Sequence, residues 1–266
     1  MAAAVVAVAV VAGVAAAVAG NPRLTRIRGP RSERSAGLFF VTPVAPRRRV
    51  ENAEALAWLA ANPAPPGACV VTSMPDVSEV PLDLAGWRAW FVGAARTIVR
   101  WLPPDGVAIF FQSDIRVRGT HVDKGYLVMR AAEDEGAAIL WHKIVCRKPP
   151  GTIALGRASY SHMIAIAQRV REDARLSGPD VLPDAGEMSW SRAMGLEACR
   201  VACRYVRDEA RATVVVDPFC GRGSVLAVAN ALGLDAIGVD LAIKRCRAAR
   251  ALVVDRIDQR DSEPSR

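Results

Sequence analysis

The 266-residue sequence predicts an α/β domain built on a circularly permuted, seven-stranded Rossmann-like sheet. Apolar residues make up 52 % of the chain, which is ample for a large core. Apolar segments of strand length alternate with helical segments, as they do in parallel α/β sheets. The segment Val214–Leu241 reads as strand, glycine turn, helix and second strand, the unit that usually opens such a domain, yet fewer than thirty residues follow it. Its position at the back of the chain indicates the permutation.

Residues 1–36 are predicted to be a low-complexity leader outside the fold. Ala2–Ala19 contains only Ala, Val and Gly, and the basic stretch NPRLTRIRGPRSERSAG follows it. Three interpretations stay open: a plastid or mitochondrial leader, an untargeted disordered extension of a cytoplasmic protein, and, least favoured, a membrane anchor. Residues 1–50 carry eight Arg, no Lys and one Glu, so most of the net charge of +8 lies here. The charge is therefore weak evidence for a nucleic-acid partner.

The rest of the sequence divides into a domain over residues 37–258 and a polar tail over residues 259–266. The first half of the domain supplies the third to fifth strands of the sheet with their helices. Pro and Gly end several segments, and ACVVTS has the uninterrupted apolar character of a buried parallel strand. The predicted elements are the strand Gly37–Val44, the helix Glu51–Ala61, the strand Ala68–Ser73, the helix Leu84–Leu102 and the strand Val107–Asp114.

The second half supplies a terminal strand pair, joined by a loop rich in Pro and Gly, and then the displaced front end. When the two strands of the segment Val214–Leu241 are counted as the first and second strands, each strand of a seven-stranded sheet occurs once. The predicted elements are the strands Ala137–Arg147 and Ser159–Gln168, the helix Ser191–Ala210, a strand from Val214, the helix Gly223–Leu232, the strand Asp235–Leu241 and a basic helix from Ile243.

The glycine turn and the acid after it predict a cofactor site. Gly221 and Gly223 permit close approach of a ligand to the backbone, and Asp240 can accept hydrogen bonds from ribose hydroxyls. A nicotinamide dinucleotide and S-adenosylmethionine both fit this pattern. Asp217 favours the second, because an acid there repels a pyrophosphate and attracts the amino group of a methionine moiety. A nicotinamide oxidoreductase is also disfavoured because too little chain follows to finish a dinucleotide fold.

The turn resembles motif I, DPFxGxGT, of S-adenosylmethionine-dependent amino-methyltransferases that act on nucleic acids. That group includes tRNA and rRNA guanine-N2 enzymes and the adenine-N6 and cytosine-N4 DNA enzymes, some of them permuted. Ser224 stands in the usual Thr position, and SWSRAMG lies where the group holds the carboxylate of the cofactor. The resemblance implies S-adenosylmethionine as cofactor and the following cofactor-binding residues: Asp217, Pro218, Phe219, Gly221, Gly223, Ser224, Asp240, Trp190 and Arg192.

The catalytic motif of the group is Asn/Asp/Ser-Pro-Pro-aromatic, and here the predicted strand Ala68–Ser73 runs into Ser73-Met74-Pro75-Asp76. By this resemblance, Ser73 accepts a hydrogen bond from the target amine and Pro75 keeps the turn rigid. Asp76 replaces the aromatic residue that stacks on the base, and it can take a proton or bind a polar edge. Trp87 or Trp90 can supply a stack, although their helical spacing favours core packing.

The resemblance implies an RNA partner, tRNA or rRNA, modified on an exocyclic amine, because the length leaves no room for a separate target-recognition domain. Arg116 and Arg118 follow the fifth strand at the expected substrate edge. His162, in a segment similar to the late β-hairpin motif of the group, is either a substrate ligand or a core histidine. The alternative function is a non-catalytic subunit that binds RNA or a protein partner. Six cysteines without a CxxC pair and three scattered histidines predict reduced thiols and no metal site.

Overall fold

The computed structural model describes residues 45–154, 156–170 and 178–255. The predicted leader, the predicted strand Gly37–Val44 and the polar tail lie outside these residues. Ten strands are described: β1 Arg48–Asn52, β2 Ala68–Thr72, β3 Val107–Gln112, β4 Ile115–Val117, β5 Thr120–Val122, β6 Ala138–Cys146, β7 Tyr160–Ala167, β8 Val181–Leu182, β9 Val214–Asp217 and β10 Asp235–Asp240. The described helices are α1 Ala55–Ala61, α2 Leu84–Trp101, α3 Lys124–Asp134, α4 Leu196–Asp208, α5 Ser224–Ala231 and α6 Ile243–Ala251.

Eight strands form one mixed sheet in the order β1-β10-β9-β2-β3-β7-β6-β8. The first five strands in this order, β1, β10, β9, β2 and β3, are mutually parallel. Strand β7 runs antiparallel to both β3 and β6, and β8 pairs parallel with β6. The strands β4 and β5 form a separate antiparallel hairpin. Because β9 and β2 are parallel neighbours, the residues that follow Asp217 and Thr72 emerge side by side at the carboxyl ends of these strands.

The central strands are buried on both faces, which explains their uninterrupted apolar sequences. Every residue of β2 and β3 is buried. Alternate residues of β3 point to opposite faces: Ile109 packs in the core that includes α4, α5 and α6, whereas Phe110 packs in the core that includes α1, α2 and α3. The helical spacing of α2 predicts six inward residues. Four of them, Trp87, Phe91, Ala94 and Ile98, are fully buried, whereas Trp90 and Trp101 are only partly buried.

The sheet edge at β1 differs from the prediction. Residues Glu51 and Asn52 belong to this strand, and the helix begins only at Ala55, capped by the Glu54 side chain, which accepts from the Ala57 N–H at 2.7 Å. Val50 is the one buried residue of the strand, because β1 lies at the edge of the sheet beside β10. An edge strand with four polar residues lacks the apolar pattern that reveals a strand, so the sequence assigns Arg48–Val50 to no element and places Glu51 and Asn52 at the start of the predicted helix.

Contacts with the last helix also hold β1 in place. The Arg48 guanidinium donates to the carbonyl of Ala249 at 2.9 Å and to the side chain of Asn230 at 2.7 Å. The Arg250 guanidinium in turn donates to the carbonyl of Val50. The first strand and the last helix of the described chain are therefore neighbours.

Three elements between residues 115 and 182 were not predicted. They are the β4–β5 hairpin, the helix α3 and the two-residue strand β8. Helix α3 follows an N-cap, Asp123, whose side chain accepts from the Tyr126 N–H at 2.8 Å. Gly125 obscures this helix in the sequence, but it is needed there: a Cβ atom at Gly125 would lie 2.8 Å from the His162 ring. None of the helices in the described ranges is long and apolar enough to cross a membrane.

Candidate active site

Two bends that are far apart in the sequence meet at one edge of the sheet. The Thr72 hydroxyl, at the end of β2, donates to Oδ1 of Asp217, at the end of β9, at 2.7 Å. The residues after both strands line one cavity of about 460 Å³. From the first bend the cavity takes Ser73, Met74, Pro75 and Asp76, and from the second it takes Asp217, Pro218, Phe219, Cys220, Gly221 and Ser224.

Asp217 is the buried acid of this site and is only 4 % exposed. Its Oδ1 accepts from the Thr72 hydroxyl and, at 3.1 Å, from the Phe219 N–H. Burial raises the pKa of Asp217, the two hydrogen bonds lower it, and the charge of Asp240 adds a smaller rise, so that the pKa is about 7. Near neutral pH, this carboxyl group can therefore gain or lose a proton, and a cationic ligand would favour the ionised form.

The glycine turn brings the backbone close to its neighbours. Gly221 has φ +55°, and a Cβ atom there would lie 2.9 Å from Cζ2 of Trp190. Gly223 has φ +86°, and its Cβ atom would lie 2.8 Å from the Cα atom of Ala249. Gly221 lies in the cavity wall, whereas Gly223 is absent from it and instead begins α5 and packs against α6.

We expect Gly223→Ala to destabilise the protein by about 2–4 kcal/mol, since it adds a backbone collision to the cost of a positive φ. Gly233→Ala is the matched control, because Gly233 has φ +84° but open space around a Cβ atom. The control should lose only about 1–2 kcal/mol. Urea denaturation of both variants measures the difference. Equal losses would show that the contact with Ala249 does not constrain the turn.

The predicted residues Trp190 and Arg192 belong to the loop before α4 and line the cavity. The guanidinium groups of Arg222 and Arg245 lie over the Trp190 ring, at 5.4 and 5.8 Å from its centroid. Arg192 forms an ion pair of 2.6 Å with Glu79, in the 3₁₀ turn after Asp76. This ion pair joins the two loops that flank the cavity.

Asp240 lies at the carboxyl end of β10 in the wall of the same cavity. Its Oδ1 accepts from the Ala242 N–H at 2.7 Å, and its Oδ2 lies 3.6 Å from the Arg245 guanidinium. Ser224, at the start of α5, shares a hydrogen bond of 2.6 Å with Ser189. Asp240, at the end of β10, and the glycine turn after β9 therefore face the same cavity.

The Ser73–Asp76 bend is held by the helix that follows it. Met74 is buried in the core, and the carbonyl of Pro75 accepts from the indole N–H of Trp87 at 3.2 Å. The two tryptophans have different environments. Trp87 is fully buried, whereas Trp90 is half-buried, lines the cavity and packs edge-on against Phe219. Trp90 is the residue of the two whose ring reaches the cavity.

Sequence reasoning missed the partner of Asp76. Lys124, the first residue of α3, is 3 % exposed, and its ammonium group forms an ion pair with the Asp76 carboxylate. Its N–H donates to Oδ1 of the buried Asp114 at 2.8 Å, and both residues line the cavity. The available signal was the N-cap Asp123 ahead of the apolar residues of α3, which would have placed a helix start beside the site.

The predicted substrate residues do not line one common cavity. Arg116 lines a smaller cavity of about 240 Å³, and Arg118 lies in the tight turn of the hairpin with φ +50°. His162 is buried on β7, where its Nε2 lies 3.0 Å from Asp114 and its Nδ1 lies 2.9 Å from Nε2 of His142. Neither Arg118 nor His162 lies in the wall of either cavity.

Asp114, Asp123 and His162 place ligand-type atoms within 4.8 Å of one another. The Nε2 atom of His162 lies 3.0 Å from Oδ2 of Asp114 and 3.6 Å from Oδ1 of Asp123. All six cysteines are buried, and none of them is in a disulfide. Burial raises the pKa of the Cys199 and Cys203 thiols, which therefore stay protonated at neutral pH.

Comparison with solved structures shows what this arrangement is similar to. TTHA0409 of Thermus thermophilus, provisionally assigned as a DNA modification methylase and solved with S-adenosyl-L-methionine, is 21 % identical, with a TM-score of 0.58 over 76 % of this chain and 92 % of that one. The PvuII cytosine-N4-specific DNA methyltransferase is 14 % identical, with a TM-score of 0.62 over 81 % and 89 %. The chain shares the fold of these methyltransferases.

A third structure with the methyltransferase fold, the complex of M1.HpyAVI with SAM, is 11 % identical, with a TM-score of 0.50 over 76 % of this chain and 97 % of that one. No protein-family model matches the chain, and no curated protein matches it in sequence. The predicted α/β, Rossmann-like fold is therefore confirmed by likeness of structure at low sequence identity.

Proposed function

We propose that the protein is an S-adenosylmethionine-dependent methyltransferase that modifies an exocyclic amine of a nucleic-acid base. The observation that carries this proposal is the hydrogen bond between Thr72 and Asp217, which joins the proposed catalytic bend to the cofactor turn in one cavity. The cavity volume of about 460 Å³ falls within the range of roughly 300–1,000 Å³ typical of small-molecule sites. Two solved proteins of the same fold bind S-adenosylmethionine.

In this proposal the cofactor lies along the ends of β9 and β10. Asp217 binds the ammonium group of the methionine moiety, and Asp240 accepts from the ribose hydroxyls. Gly221 has no side chain, so the backbone can approach the ligand closely. Trp190 and Arg192 lie at the far side of the turn, where Arg192 can exchange its ion pair with Glu79 for the carboxylate of the cofactor. Pro218, Phe219 and Ser224 complete the wall, and Gly223 shapes the turn from outside it.

The chemistry that S-adenosylmethionine supplies here is an electrophilic methyl group. Ser73 accepts a hydrogen bond from the target amine and thereby turns its lone pair toward that methyl group. Pro75 fixes the bend, and Asp76, held by Lys124, accepts the proton that the amine loses. Trp90 offers the ring surface on which a base can stack, in place of the aromatic residue missing from the motif. Orientation of this kind can supply roughly 7–11 kcal/mol of the barrier.

We also propose that the fold is circularly permuted. The sheet order supports this proposal, because β9, β10, β1, β2 and β3 read as the first to fifth strands of a Rossmann-like sheet, followed by the antiparallel pair β6 and β7. Under this reading, the front end of the fold has moved behind the catalytic bend in the sequence.

The proposed substrate is tRNA or rRNA. DNA is the second candidate, which the likeness to a cytosine-N4-specific DNA methyltransferase favours. A non-catalytic, methyltransferase-like subunit that binds RNA or a protein partner is the third, since Asp76 stands where the related motif has an aromatic residue.

Two measurements with the full chain test the function. Calorimetry should show saturable binding of S-adenosylmethionine, and total RNA from a strain without the gene should accept labelled methyl groups on an exocyclic amine, identified by nucleoside mass spectrometry. Failure to bind S-adenosylmethionine would contradict the whole proposal. Transfer to unmethylated DNA alone would overturn the RNA substrate, and binding without transfer to either nucleic acid would overturn catalysis and leave the subunit function.

A further inference from the structure

Two arginines line the active-site cavity on the side away from the glycine turn. Arg147 follows the last residue of β6, and its N–H donates to the carbonyl of Ser159, close to Arg157 in the sequence, at 2.7 Å. The half-buried Arg147 guanidinium donates to the Ser113 hydroxyl at 2.8 Å, and that hydroxyl shares a hydrogen bond of 2.6 Å with Ser161. These contacts fix the position of Arg147 at the end of β3.

The two guanidinium groups repel each other. Burial lowers the pKa of Arg147, the charge of Arg157 lowers it further, and Asp76 opposes both effects. Among the described residues, neither arginine has a carboxylate within ion-pair distance. The nearby acids are engaged elsewhere: Asp76 pairs with Lys124, and Asp114 accepts from Lys124, Tyr160 and His162. Two like charges in a cavity wall, with the described carboxylates of that wall already paired with other groups, favour the binding of an anion.

Arg157 also lies in the wall of the smaller cavity, which therefore adjoins the larger one. The smaller cavity is also lined by the guanidinium group of Arg116, the imidazole of His121 and the hydroxyl groups of Ser159 and Tyr160. Its wall includes the Asp114 carboxylate too, which already accepts from Lys124, Tyr160 and His162. An anion bound between Arg147 and Arg157 would thus be at the boundary between the space that holds the reacting groups and a second space that Arg116 also lines.

We infer that Arg147 and Arg157 bind a phosphodiester group next to the target nucleotide, and that the smaller cavity takes the adjoining phosphate of the same strand. This inference rests on the proposed function and adds the path of the polynucleotide through the site. Planar guanidinium groups suit this ligand, because they donate pairs of parallel hydrogen bonds to phosphate oxygens.

Fluorescence anisotropy with a labelled single strand of roughly 12 nucleotides tests the inference over a series of NaCl concentrations. The variants are Arg147→Gln and Arg157→Gln. The matched control is Arg130→Gln, since Arg130 is exposed on α3 and lines neither cavity. Each test variant should weaken binding about 10-fold and lower the slope of log affinity against log salt by about one. The control should change neither quantity.

Two further arms make the result specific. One uncharged methylphosphonate linkage beside the target should lower the affinity of the native protein for the oligonucleotide about 10-fold. The same linkage should not lower the affinity of the Arg157→Gln variant any further. Each variant should bind S-adenosylmethionine as the native protein does, which separates this inference from the proposed function. If both arginine variants bound the oligonucleotide with native affinity, the inference would be overturned. It would also be overturned if the Arg157→Gln change weakened the binding of inorganic phosphate but left oligonucleotide binding unchanged.

Discussion

Replacing Asp217 by asparagine is expected to weaken binding of S-adenosylmethionine by roughly 30-fold to several thousand-fold. Loss of one partner of a buried charged pair costs about 2–5 kcal/mol, and this substitution removes the charge that meets the ammonium group. Asparagine keeps the oxygen that accepts from Thr72 and Phe219, so the bend itself should persist. Isothermal titration calorimetry of the two proteins gives the ratio of affinities.

The same substitution should stabilise the ligand-free protein above neutral pH. The pKa of Asp217 is raised from 3.8 to about 7, so the stability contributed by its neutral form is present below pH 4 and is lost as the pH rises through 7. The asparagine variant has no such loss and should gain on the order of a few kcal/mol over the native protein at pH 8, but nothing at pH 4. Thermal melting at the two pH values measures this gain.

Ligand binding should carry the opposite pH signature. Because the ionised carboxylate binds the ammonium group, the affinity of the native protein should fall about tenfold per pH unit below 7, and the asparagine variant should show no such trend. A native affinity that is constant between pH 6 and 8 would contradict the role given to Asp217.

Replacing Asp76 by asparagine is expected to lower single-turnover methyl transfer by about 100-fold, within the range typical of a lost general base. Binding of S-adenosylmethionine should remain native, because Asp76 lies on the other bend of the cavity. A variant that transfers methyl groups at the native rate would show that the proton leaves by another route. Rapid-quench assays at saturating cofactor separate the rate of transfer from binding.

The ion pair with Lys124 gives a second readout for Asp76. Lys124→Met should destabilise the protein by about 3 kcal/mol, because it leaves the Asp76 carboxylate without its cation. The double variant with Asp76→Asn should recover much of that loss, which urea denaturation of the four proteins in the cycle measures. Strictly additive losses would show that the two side chains do not stabilise each other.

Sequence reasoning placed the glycine turn and the long helix well because their signals are local. The spacing of Gly221 and Gly223 after an acid fixes a turn at the end of a strand, and the apolar residues of α2 recur every three or four positions. These sequence signals do not depend on contacts with distant parts of the chain.

The missed features depend on contacts between distant residues. Lys124 lies 48 positions from Asp76, and no local pattern marks the lysine as the partner of Asp76. The strand β1 is polar because an edge strand needs only Val50 to face the core, and the partner that makes it a strand is β10. For both, the deciding interaction exists only once the sheet is assembled.

The hydrogen bond between Thr72 and Asp217 spans 145 positions, and it has a consequence for the nascent chain. On the ribosome, β1, β2 and β3 are translated long before β9 and β10, the strands with which β1 and β2 pair. The central sheet cannot close during most of translation, and contacts of such long range form slowly. Under the proposed function, S-adenosylmethionine would therefore bind only after the whole chain is translated, and chaperones have a long interval in which to shield the unpaired early strands.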